Sequence, residues 1–163
     1  MSAPAAETAR AMLRHTVATL AYRAAKAVRG APDSFAGFQA GPSSRTPAQI
    51  LAHMGDLFDW GLALANGKWS WKDSEPQPWE RECARFFTAL AAFDARLATN
   101  DPLGYPAEIL FQGPVADALQ HTGQLTMLRR LAGSPVKGES YARAEIVAGR
   151  VGAEQSPPKR EFE

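Results

Sequence analysis

Apolar residues recur at spacings of three and four in four separate stretches of this chain, and between those stretches nothing shows the alternation of a half-buried strand. In residues 7–28 the stripe is Leu13, Val17, Leu20, Ala21, Ala24 and Val28, with Arg10, Arg14, Arg23 and Lys26 falling mostly off it, which predicts an amphipathic helix. A basic last turn followed by Gly30 and Pro32 marks its end. The next segment, to residue 45, reads as a loop anchored by Phe35 and Phe38. Thr46-Pro47 opens a second helix with a hydroxyl that can accept from an orphan backbone N–H and a proline where no donor is needed. Ile50, Leu51, Met54, Leu57, Phe58 and Leu62 are its stripe, and Asn66-Gly67 ends it. After a loop with Trp69, Trp71, Pro76 and Pro78, the third helix carries Trp79, Cys83, Phe86, Leu90, Phe93 and Leu97. Asn100-Asp101-Pro102 and Gly104-Tyr105-Pro106 break that pattern. Gly113-Pro114 is expected to start a fourth helix, with Ala118, His121, Thr122, Leu125 and Leu128 inward and Gly133 and Pro135 as its stop.

Four helices of roughly 16 to 22 residues predict an all-α fold, a four-helix bundle. Its connections are long, as is common where a loop covers a site or a partner surface. Residues 1–163 read as a single domain, with 134–163 an irregular C-terminal arm that holds at most a short extended piece at 144–148.

Composition narrows the function more than the fold. With 163 residues, 45% hydrophobic and 21% charged, the chain can bury a core without disulfides. Its lone Cys83 excludes an internal disulfide and a cysteine zinc cluster. On the third-helix stripe that thiol reads as packing rather than a nucleophile. Eighteen Lys and Arg against 17 Asp and Glu give a net charge of +1, without the basic excess of a nucleic-acid surface. No stretch approaches the roughly 18 consecutive apolar residues of a membrane span. The opening residues lack a basic leader and an apolar run, so a cytoplasmic protein is expected.

The three histidines, His15, His53 and His121, lie on three different predicted helices. His53 and His121 fall on apolar stripes, and Asp117 precedes His121 by four residues, about 40° around the helix axis. Bundles build metal sites from such inward side chains. Two imidazoles and a carboxylate leave coordination positions open, the mark of a catalytic rather than a structural site. Each residue also has an ordinary reading, His53 and His121 as neutral core histidines and Asp117 as an acid stabilised at a helix start. His15 sits beside its stripe and reads as a boundary residue. Gln124, three after His121, is placed to orient that ring. Asp59 and Trp60 are placed to pack a pocket wall, and Trp69 and Trp71 to line a pocket mouth or a dimer surface.

The stretch from Thr46 to Leu57, TPAQILAHMGDL, resembles the metal-binding second helix of the DinB-like (damage-inducible, YfiT-like) proteins, and His121-Thr122-Gly123-Gln124 resembles their H-x-G-Q stretch on the fourth helix. The likeness spans essentially the whole chain, including the Gly149-Arg150-Val151-Gly152 tail. It implies a homodimeric four-helix bundle binding a divalent metal (zinc, nickel, manganese or iron) through His53 and His121, with Asp117 where the family places its middle histidine. It further implies metal-dependent hydrolysis of a small molecule, or transfer involving a low-molecular-weight thiol. The alternative is a non-catalytic dimeric bundle that binds a small molecule or a protein and keeps a vestigial metal site.

Overall fold

The computed structural model describes residues 3–162, for 3–5 the backbone only. Among the described residues there is no strand, and five α-helical segments build four rods: α1 (Ala3–Val28), α2 (Pro47–Ala65), α3 (Trp79–Leu97), and a last rod made of α4 (Ala107–Leu110), a π-helical turn (Phe111–Val115) and α5 (Ala116–Leu131). The rods neighbour one another in the ring α1, α3, α2, α5, so α1 faces α2 and α3 faces α5 across the core. Sequence-adjacent α1 and α2 are therefore diagonal, and a short hairpin cannot join them. That explains the long first connection. Its Phe35 is fully buried, edge-on to Trp79 with ring centroids 5.5 Å apart.

The predicted stripes are the core: Leu13, Val17, Leu20, Ala21, Ala24, Ile50, Leu51, Met54, Phe58, Phe86, Leu90, Phe93, Leu97, Ala118 and Leu125 are all buried. Thr46 caps α2 as expected, its hydroxyl accepting from Gln49 N while the Gln49 side chain accepts from Thr46 N. Arg129 closes α1 from outside: its guanidinium donates to the carbonyls of Ala27, Arg29 and Gly30 at 3.0 to 3.2 Å. Those carbonyls lie at or just past the helix end, where acceptors go unmet and positive charge is favoured. The loops after α2 and α3 touch at Gly67 and Gly104, where a Cβ on Gly104 would stand 2.0 Å from the Gly67 nitrogen.

The fourth rod departs from expectation. It begins after Pro106, not at Gly113-Pro114, and Pro114 lies inside it. Proline has no N–H for the carbonyl four residues back, which normally breaks a helix. Here the chain takes one wider turn, with Ala116 N–H reaching the Phe111 carbonyl, and continues. One inserted residue rotates everything beyond it by about 100°. The burial pattern records the insertion, since Leu110 and Val115 are both fully buried at a spacing of five. Gly113 lets the Trp60 ring approach, a Cβ there lying 3.1 Å from it, so α2 and this turn pack closely.

The arm from residue 134 is irregular, as expected, with a 3-10 turn at Tyr141–Arg143. The extended piece at 144–148 does not form; the sole β-bridge among the described residues pairs Glu139 with Glu161. The arm is tied to α1 by polar contacts: Tyr22 Oη donates to Glu139 Oε1 at 2.6 Å, and Lys26 Nζ reaches Glu139 and Glu161 at 2.8 Å each. No described helix is long and apolar enough to cross a membrane.

Candidate metal centre

Because α2 and α5 are neighbours, the inward turn of one meets the inward turn of the other. His53 from α2 and Asp117 and His121 from α5 converge, with one donor atom from each residue within 4.8 Å of the others. The sequence grouped these three residues, and the structure brings them together. His15 is exposed on α1 and stands outside the cluster. Burial is graded across the site: the His121 side chain is 9% exposed, His53 19% and Asp117 39%. One edge is therefore open to a small molecule. Asp117 lies well inside the fourth rod instead of at its start, which weakens the helix-end explanation for an acid here.

Asp117 divides its oxygens between the two rings, Oδ2 standing 3.3 Å from His53 Nε2 and Oδ1 3.3 Å from His121 Nε2. The rings meet edge to face, centroids 4.9 Å apart. On the far side of His121, Nδ1 lies 2.7 Å from Gln124 Oε1. That oxygen only accepts, so Nδ1 carries the hydrogen, and in the neutral ring the Nε2 lone pair faces Asp117. A lone pair against a carboxylate oxygen at 3.3 Å is repulsive unless positive charge lies between them. A proton on Nε2 meets that demand, and so does a metal ion. The donor set fits a divalent ion chemically. Bonds of about 2 Å need donors no more than about 4 Å apart, so small side-chain adjustments close the site.

The loop of residues 66–78 forms one wall. Trp71 is edge-on to His53 with centroids 5.5 Å apart and packs in turn on Trp60. Trp69 also packs on Trp60 and is 67% exposed. Two buried carboxylates hold this loop: Asp56 Oδ2 accepts from Ser74 N and Glu82 Oε2 from Gln77 N, both at 2.8 Å. Arg85 bridges the two acids, and its charge is what allows them to be buried. Asp59 stays exposed at the edge of Arg85, 3.6 Å away. The Asp56–Arg85–Glu82 bridge was not anticipated from sequence, although acids in otherwise apolar helical registers signal a buried pair.

Two cavities flank the rings. A polar one of about 230 Å³ lies on the His53 side, lined by Gln49, Asp73 and Glu75. A mostly apolar one of about 520 Å³ lies on the His121 side, lined by Ile50, Met127, Leu128 and Leu131. Arg45 borders both. Away from the site, burial and then the charges of Glu82 and Glu80 push the Cys83 thiol up to about 12, so it stays protonated at neutral pH. Comparison of the chain with protein-family models, curated proteins and solved structures gives no match in any of the three.

Proposed function

We propose that this chain is a DinB-like protein that binds one divalent metal ion through His53, Asp117 and His121 and acts on a small molecule, as a hydrolase or in transfer to a low-molecular-weight thiol. The supporting observation is the convergence of two imidazoles and a carboxylate at the open edge between two rigid helices. When bound, a divalent ion at such a site supplies a Lewis acid that lowers the pKa of a coordinated water or thiol. The chain's own residues do the rest. Gln124 fixes the tautomer and angle of His121. Trp71, edge-on to His53, limits the tilt of that ring. The apolar cavity beside His121 receives an organic group, and Arg45 at its border favours an anionic one.

A second reading has its own observation. With a hydrogen on Nε2 of each ring, the Asp117 carboxylate accepts from both directly, and the cluster is complete without metal. In that case the bundle is a non-catalytic binding module. Metal analysis of the purified protein and of His53→Ala separates the two readings, with circular dichroism as the check on folding. Stoichiometric metal in the parent and its loss from the folded variant support the metal reading. Negligible metal in both supports the binding module. The family likeness also implies a homodimer, which a solution mass measurement checks.

A further inference from the structure

On the other side of α5 from the histidines, α1, α5 and the arm enclose a separate cavity of about 270 Å³. Arg23 of α1 and Arg130 of α5 both line it, and no carboxylate does. Among the described residues neither guanidinium has an ion-pair or hydrogen-bond partner, in contrast to Arg14, Arg85 and Arg129, each of which is matched to acceptors. Arg23 Nε is buried with nothing to donate to. The Tyr141 ring covers that guanidinium at 4.0 Å but offers its N–H groups no oxygen. That Nε is closed to solvent, so a ligand in the cavity would meet the remaining face of Arg23 together with Arg130, two cations that no acid matches.

We propose that this cavity is a second ligand site, for a small molecule bearing a phosphate group. A carboxylate is satisfied by one guanidinium fork; a phosphate presents three terminal oxygens and more charge, and suits two guanidiniums arriving from different helices. Leu119 and Met127 supply an apolar wall for the organic part. The arm borders the site through Tyr141. Met127 also lines the apolar cavity beside His121, so the two sites share a wall but no ligand atoms.

The test is calorimetric titration of the full chain, stripped of metal and dialysed, with inorganic phosphate and with phenyl phosphate at constant ionic strength. Both probes should bind saturably, phenyl phosphate more tightly. Arg23→Gln and Arg130→Gln should each weaken binding by about tenfold or more, the loss expected for a hydrogen bond to a charged group. His53→Ala should bind as the parent does, which makes the result independent of the metal reading. Arg130 is exposed, so Arg130→Gln carries the test even if Arg23→Gln fails to fold. Absence of saturable binding, parent-like affinity in Arg130→Gln, or loss of binding in His53→Ala overturns the proposal. Equal affinity for the two probes assigns the site to free phosphate and overturns its organic half.

Discussion

A single hydrogen bond, from His121 Nδ1 to Gln124 Oε1, decides which nitrogen of His121 faces the cluster. Groups of this kind, which orient a ligand without touching the ion, typically contribute about 10- to 100-fold in metal affinity. Gln124→Ala should therefore weaken metal binding by about that factor while leaving the helix content unchanged. Gln124→Glu, which keeps an oxygen acceptor, should restore most of it. Competition with a chelating dye reads both. Parent-like affinity in Gln124→Ala would show that the His121 ring is held by packing alone. All three proposed ligands and Gln124 were legible in the sequence because each is one chemically distinctive residue at a helical spacing from an apolar stripe. Arg45 was not, since an exposed arginine before a helix cap carries no periodic signal, and its importance arises only from the two cavities it borders.

Three helices could be read from their stripes because burial on one face repeats every three or four residues, and the structure keeps that repeat over Pro47–Ala65 and Trp79–Leu97. The fourth was misjudged at its start for a physical reason. Gly-Pro is ordinarily a helix boundary, yet here tertiary packing of Trp60 and Gly61 against Gly113 and Pro114 stabilises a wide turn that absorbs the proline. The loop between α2 and α3 was equally unreadable, because its order comes from Asp56 and Glu82, remote in sequence from one another and joined by Arg85. Removing that cation leaves two acids buried without compensation. Arg85→Ala should cost about 3 to 5 kcal/mol. It should also free the 66–78 loop and loosen Trp71 from Trp60 and His53, so that the summed tryptophan emission moves further to the red before global unfolding. A denaturant midpoint and an emission spectrum unchanged from the parent would contradict this account of the loop.

Across the whole molecule, the arm is joined to the bundle by a polar cluster whose strength depends on pH. Burial first, and then the hydrogen bond to Glu139, hold the Tyr22 phenol above its ordinary value of 10.0. Lys26 is also raised, because its hydrogen bonds to Glu139 and Glu161 outweigh the opposing effect of burial. The folded chain thus keeps protons that the unfolded chain releases above about pH 10, so this stabilisation is complete below that pH and declines above it. Stability measured from pH 8 upward should fall beyond pH 10 in the parent and fall less steeply in Tyr22→Phe; parallel curves would remove Tyr22 from the explanation. The arm's attachment is separate from the claim on which the functional reading rests, that α2 and α5 together hold one metal ion. Anomalous scattering from a crystal grown without added metal tests that claim most directly, because it reports position and element together. The account predicts a single strong peak about 2 Å from a nitrogen of His53, a nitrogen of His121 and an oxygen of Asp117. A map with no peak there, and Asp117 in direct contact with both imidazoles, would contradict it.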